Sequence, residues 1–198
     1  MTRLLGVSGS QRAASHSRRL VELLLEEARA CGAETRLLDL RQTSLPILRP
    51  DDDEPSPNYT PIREMVLWAD ALVLAGPDYH GSMSGAVKNF LDHYWREFTG
   101  KLFGYVVASH EKGLTVQDQM RTAVRQCYGW SLPYGIGFNG NQEMDLEAGT
   151  LQPALAERVR NTARDLTVYG ALLHGQFQAD LALDPRPPGF ASKFKLDD

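Results

Sequence analysis

The stretch Ser8-Gly9-Ser10-Gln11-Arg12-Ala13-Ala14-Ser15-His16-Ser17 sets several hydroxyls and one guanidinium directly after the apolar run Leu4-Leu5-Gly6-Val7. That combination suits an anion. The first N–H groups of a helix lack intrahelical acceptors and, with the helix dipole, carry roughly half a positive charge. A strand, a hydroxyl-rich turn and a helix start therefore make a seat for a phosphate group. Ser10, Ser15 and Ser17 add hydroxyl donors, and Arg12 adds a fixed charge. A helix cap at Ser15 or Ser17 would need one hydroxyl; several hydroxyls and an arginine exceed that requirement.

Two further stretches look unlike ordinary connections. In Pro77-Asp78-Tyr79-His80-Gly81-Ser82, proline fixes the backbone direction, Gly81 permits unusual dihedrals, and Tyr79 offers a flat aromatic surface. A plain turn capped at Ser82 or Ser84 would explain the Pro and Gly but not the Tyr-His pair. The third stretch, Ser109-His110-Glu111-Lys112-Gly113, is polar and charged. Each of the three follows an apolar run. Ligands of open parallel α/β sheets bind beyond the carboxyl ends of the strands, so a single site built from all three is the economical expectation.

The elements that must position these stretches follow from periodicity. Leu20, Leu23, Leu24 and Ala28 share one face of an amphipathic helix that stops near Gly32, and residues 34–40 alternate as a strand. Residues 41–61 hold five prolines and the acidic run Asp51-Asp52-Asp53-Glu54, a solvated loop rather than a metal site. A short helix over 62–69 leads to the continuous apolar strand 70–76, whose lack of alternation means burial on both faces, as in a parallel sheet. Helices over 84–98, 115–128 and 153–173 alternate with strands over 101–109 and 132–138. This alternation predicts a three-layer α/β domain with a parallel sheet, helices on both faces and right-handed crossovers. Residues 1–179 are assigned to that domain. Residues 180–198 are Pro-rich and too few to hold a core, so they are expected to wrap a neighbour or lie loose.

The motifs carry a resemblance. Gly9-Ser10-x-Arg12-x-x-Ser15, Pro77-Asp78-Tyr79-His80-Gly81-Ser82 and Lys88-Asn89-x-x-Asp92 together resemble the NAD(P)H-dependent FMN reductase family of flavodoxin-like proteins, over roughly residues 1 to 175. The resemblance implies a flavodoxin-like sheet of five parallel strands in the order 2-1-3-4-5. It implies FMN as cofactor and NADPH or NADH as co-substrate, with a small-molecule quinone, dye, metal-oxyanion or flavin as acceptor in a ping-pong cycle. Carried over residue by residue, it seats the FMN phosphate on Ser10, Arg12, Ser15, His16 and Ser17. The ring then lies along Pro77, Asp78, Tyr79, His80, Gly81 and Ser82, with Ser109 and His110 beside it. No side-chain acid or base is required, because the cofactor performs the redox step. His80 and His110 are of a type that can protonate a reduced quinone, but a polar contact is the plainer role for each. The family also implies a homodimer or homotetramer, to which Trp68, Tyr94, Trp95 and Phe98 could contribute or which they could ignore by filling the core. Two positions depart from the pattern. Asp78 stands where Glu is commoner and is expected to keep a turn-type hydrogen bond, and residues 109–113 are bulky where the family is often Gly-rich.

Composition narrows the alternatives. At 198 residues and 22.0 kDa, with 42% apolar and 23% charged residues, the chain fits one globular domain. A net charge of -4 argues against nucleic-acid binding, which needs a basic surface. No apolar run approaches membrane-spanning length and no signal peptide is evident, so a cytoplasmic protein is expected. Cys31 and Cys127 are in no ligand or redox spacing and are expected to be reduced and mostly buried. Asp39, at the end of the second strand, could be the ribose-binding acid of a dehydrogenase, but G-x-G-x-x-G is absent, as are the P-loop and G-x-S-x-G patterns. The rival from another class is a flavin-binding electron carrier or redox sensor that does not turn over NAD(P)H. An interaction protein that keeps the fold without the cofactor fits less well, because both motifs are nearly complete.

Overall fold

In the computed structural model, which describes residues 1–51 and 56–194, the apolar run near the amino terminus becomes the central strand of a parallel sheet. This strand, β1 (Arg3–Ser8), pairs with β2 (Glu34–Asp39) on one side and β3 (Ala71–Pro77) on the other. Next comes β4 (Leu102–Ala108), which pairs with β5 (Trp130–Ser131) and further along with β6 (Ile136–Phe138). The order is β2-β1-β3-β4-β5, with β6 also on β4. The acidic run lies, apart from Asp51, outside the described residues.

Side chains of β3 show why it reads as unbroken. Val73 and Ala75 face a core shared with α1 (His16–Ala30) and α6 (Pro153–Leu181). Leu72 and Leu74 face the opposite core, shared with α2 (Tyr59–Trp68), α3 (Gly85–His93) and α4 (Leu114–Gln126). A sheet covered on both sides has no polar face to display.

The fifth strand differs from the expected single segment over 132–138. Pro133 cannot donate to a ladder, and the chain leaves β4 after Ser131 and returns at Ile136. Glycine is needed where it returns: a Cβ on Gly137 would lie 1.9 Å from the Lys112 carbonyl oxygen. The last helix is longer than its apolar pattern suggests and runs to Leu181, because His174, Phe177 and Leu181 continue its buried stripe. Beyond it, Phe190 and Phe194 fold back onto Phe177, with ring centroids 5.1 and 5.8 Å away, and onto Tyr128 and Trp130. This part of the tail packs on its own domain.

The thiols are free, but they are less buried than expected: Cys31 caps the exposed end of α1 and Cys127 is half-buried. Tyr94 and Phe98 are core residues, whereas Trp95 is 53% exposed. No helix among the described residues is long and apolar enough to cross a membrane.

Candidate functional site

A cavity of about 440 Å³ opens at the carboxyl ends of β1, β3 and β4, and all three stretches singled out by sequence line it. Its wall includes Ser10, Arg12, Ser15, His16 and Ser17, then Pro77, Asp78, Tyr79, His80 and Gly81, then Ser109 and His110. Ser82 is the exception: its hydroxyl is turned away to donate to Gln119 Oε1 at 2.9 Å.

The loop from β1 to α1 reconciles the capping and anion readings of its serines. Ser15 is the N-cap, and its Oγ accepts from the Arg18 N–H at 3.2 Å while lying 3.2 Å from Ser17 Oγ. The Arg19 N–H reaches the Ser15 carbonyl. Among the described residues the N–H groups of His16 and Ser17 have no acceptor, and the Arg12 guanidinium has no ion-pair partner. Unspent N–H donors, hydroxyls and a free guanidinium at the positive end of α1 are what a phosphate monoester requires. The loop is fixed from below: Ser84 Oγ donates to the Gly9 carbonyl at 2.8 Å, and a Cβ on Gly9 would lie 2.1 Å from Val87 Cγ2. Glycine at 9 thus lets α3 pack directly beneath the seat.

The second stretch is a tight turn. Tyr79 and Ser82 exchange backbone hydrogen bonds of 3.0 and 3.1 Å, and the two residues between them, His80 (φ 58) and Gly81 (φ 75), are both left-handed. Such a pair of positive φ values is the requirement of a type I′ turn; glycine meets it freely, whereas histidine costs about 1 to 2 kcal/mol. Side chains hold the turn from two sides. Asp78 Oδ1 accepts from the Gly81 N–H at 2.7 Å, keeping the expected turn-type bond despite its shorter side chain. Asp78 Oδ2 accepts from Ser109 Oγ at 2.9 Å, and that hydroxyl accepts from the Glu111 N–H. On the other side Gln119 of α4 accepts from Ser82 Oγ and from the Met83 N–H (3.3 Å), and donates to the Gly81 carbonyl (3.2 Å).

Sequence reasoning missed the fourth wall. Asn139, Gly140 and Asn141 complete the cavity at the carboxyl end of β6, where the short helix α5 (Gly140–Glu143) begins. Arg158 of α6 positions this segment by donating to the Gly137 carbonyl at 2.7 Å and pairing with Glu143, which in turn accepts from the Asn139 N–H. Asn-Gly-Asn after a strand is itself the signal that the strand-end rule would have used. Thr115 and Glu111 also line the cavity. Asp39 does not reach it; its carboxylate pairs with Arg18 at 3.3 Å and accepts from the Arg41 N–H.

A parallel sheet in the order 2-1-3-4-5, with an anion seat after β1 and an aromatic turn after β3, defines a flavodoxin-like protein. The chain belongs to the NADPH-dependent FMN reductase family, whose sequence model matches residues 2–142. An FMN-dependent NADPH-azoreductase of Staphylococcus haemolyticus is 29% identical over 73% of this chain and 81% of its own length. Among solved structures, an NADH:FMN oxidoreductase in its apo form superposes with a TM-score of 0.72 at 18% identity, covering 85% of this chain and 90% of that one. The NAD(P)H:acceptor oxidoreductase FerB of Paracoccus denitrificans does so with a TM-score of 0.69 at 18% identity, over 89% and 98%.

Proposed function

We propose that this protein binds FMN in the carboxyl-end cavity and uses NADPH or NADH to reduce a small-molecule acceptor such as a quinone, an azo dye, a metal oxyanion or a free flavin. The observation that carries this reading is the convergence, in one cavity, of unspent helix-start donors and a doubly clamped aromatic turn. Arg12, Ser10, Ser15, His16 and Ser17 hold the phosphate, and the turn from Pro77 to Gly81, with Ser82 behind it, orients the ring. Ser109 and His110 close the side beside it. Bound FMN supplies a two-electron centre that the nicotinamide charges and the acceptor then discharges, a ping-pong cycle through one open face. The chain itself binds, orients and excludes water, and no side chain is asked to act as acid or base.

The family names favour NADPH-linked turnover over a carrier role, and the azoreductase relative favours a flat aromatic acceptor. Residues 1–179 act as the FMN-binding domain, since every cavity residue precedes position 142, and residues 180–198 are its tail. Exposed Trp95 is the residue we place at the contact of a homodimer or homotetramer, and two free thiols suit a cytoplasmic setting.

The test is anaerobic. Purified protein reconstituted with FMN is mixed with NADPH and then with a quinone or an azo dye, following the flavin band near 450 nm. Bleaching by NADPH and recovery on adding acceptor are expected. Flavin that stays oxidised under excess NADPH and NADH would refute the enzyme reading in favour of a carrier. Arg12→Ala should weaken FMN affinity without unfolding the domain, and unchanged affinity would refute the phosphate assignment.

A further inference from the structure

A second cavity, of about 400 Å³, lies at the opposite end of the sheet, next to the residue that precedes β4. That residue, Lys101, is 3% exposed. Its Nζ donates to the carbonyls of Leu67, at 3.3 Å, and Ala69, at the end of α2. Two carbonyls leave one of its three N–H donors unspent. Nor does a carboxylate among the described residues pair with it, for Asp70 is taken by Arg3 at 2.7 Å and Glu97 by Arg63 at 2.6 Å. A buried cation whose nearest carboxylates, Asp70 and Glu97, are each committed to an arginine is held at a cost in free energy.

An independent observation points to the same cavity. His174 of α6 lines it, is 9% exposed, and has a buried Nδ1 without a hydrogen-bond partner. The Gly100 backbone lies beside the ring and favours its protonated form. The other ring nitrogen, Nε2, lies 3.5 Å from Gln178 Nε2 and 3.8 Å from Asp70 Oδ1. Phe177 and Leu181 of α6, Phe194 of the tail and Trp95 give the wall its apolar surface, and Arg96, Glu97, Gln178 and Lys193 give it a polar and charged part. One unspent ammonium donor, an unpartnered imidazole nitrogen and aromatic surface suit a ligand with one negative charge on a flat apolar body. A phosphate would waste the aromatic surface.

We propose that this amino-end cavity is a second ligand site that takes a small aromatic carboxylate, its oxygens on Lys101 and His174 and its ring between Phe177, Leu181 and Phe194. The site is separate from the flavin cavity and does not depend on what that cavity binds. Because Phe194 belongs to the tail, occupancy also ties the tail to α6. Burial, partly offset by Asp70, lowers Lys101 to about 8. The charged and titratable groups around it are Arg3, Asp70, Arg96, Glu97, Lys193 and His174; His174 is lowered to about 4 and stays neutral between pH 7 and 9.5, the range in which Lys101 loses its charge. Carboxylate affinity therefore falls as pH rises through that range.

The experiment titrates the FMN-reconstituted protein with benzoate and, separately, with neutral benzamide, reading backbone amide shifts by NMR and tryptophan fluorescence. Saturable benzoate binding is expected, at least ten-fold tighter than benzamide, with shifts confined to residues 99–101, 174–181 and 190–194. It should weaken at least five-fold at pH 9.5. Lys101→Met should reduce benzoate affinity at least ten-fold and Phe194→Ala several-fold, both leaving FMN content unchanged. Should Lys101→Met fail to fold, the benzamide comparison, the pH dependence and Phe194→Ala still decide. Equal affinity for benzamide, shifts only at Tyr79–Ser82, or no saturable binding would overturn the proposal.

Discussion

Replacing Gln119 by Leu removes three hydrogen bonds to the Tyr79–Ser82 turn while keeping the size of the side chain. The bonds run to Ser82 Oγ (2.9 Å), the Met83 N–H (3.3 Å) and the Gly81 carbonyl (3.2 Å), all at an exposed position. A net hydrogen bond is worth about 0.5 to 1.5 kcal/mol, and exposure puts these at the lower end, so the clamp supplies roughly 1 to 2 kcal/mol in total. That matches the roughly 1 to 2 kcal/mol that a left-handed histidine costs at position 80 (φ 58). Without the clamp the turn is no longer held against that strain. Apparent affinity scales with the fraction of molecules in the competent conformation, so FMN binding should weaken about 5- to 30-fold, while unfolding free energy falls by no more than about 2 kcal/mol. Fluorescence titration of apoprotein with FMN measures the first quantity and urea unfolding the second. Adding His80→Gly to Gln119→Leu removes the strain and should recover part of the lost affinity. An FMN affinity within two-fold of wild type in Gln119→Leu, or no recovery in the double variant, would refute the coupling of clamp to strain.

Gly9→Ala drives a methyl to within 2.1 Å of the stiff Val87 side chain and should destabilise the fold by about 1 to 3 kcal/mol, read as a lower urea midpoint. At Gly81 a Cβ meets only Thr115 Oγ1 at 3.7 Å, but φ is +75; Gly81→Ala should therefore cost only the roughly 1 to 2 kcal/mol of left-handed backbone and show it in flavin binding. Burial, then the Lys101 charge, lowers His174 to about 4. Between pH 6.5 and 4 the unfolded chain thus holds the proton that the folded chain refuses. Stability should fall through that window by up to about 3 kcal/mol, and His174→Gln should flatten this part of the urea midpoint difference between pH 7.5 and 4.5.

Periodicity located the layers because a parallel sheet buries both faces, and runs such as 70–76 have no other reading. It failed where non-local contacts decide. Pro133 is a local mark against one strand over 132–138, but where the chain rejoins the sheet is not local, nor is the continuation of α6 past Leu173, where a histidine, His174, occupies the next buried position. The tail is too short to hold a core of its own, yet Phe190 and Phe194 find partners in Tyr128, Trp130 and Phe177 of the domain. At the candidate site the strand-end rule found three walls. The fourth, Asn139 to Asn141, obeys the same rule but was hidden by the broken strand before it. Gln119 carries no signal at all: one glutamine on a helix surface becomes a clamp only when the fold brings α4 beside the turn.

The two departures from the family pattern belong together. A Glu at 78 would extend one methylene further and could not accept from both the Gly81 N–H and the Ser109 hydroxyl without moving the turn. Asp78 does both, at 2.7 and 2.9 Å, because Ser109 supplies the hydroxyl that a small Gly-rich segment would lack. The Glu111 N–H then completes Ser109, and the Lys112 carbonyl lies so close over β6 that residue 137 must be glycine. The bulk of residues 109–113 is thereby turned into support for the turn after β3. In a sheet of this order β3 and β4 are neighbours, so a change at the end of one is answered at the end of the other. His110 and Glu111 are left lining the cavity, the place where a bulky segment leaves less room than a Gly-rich one would.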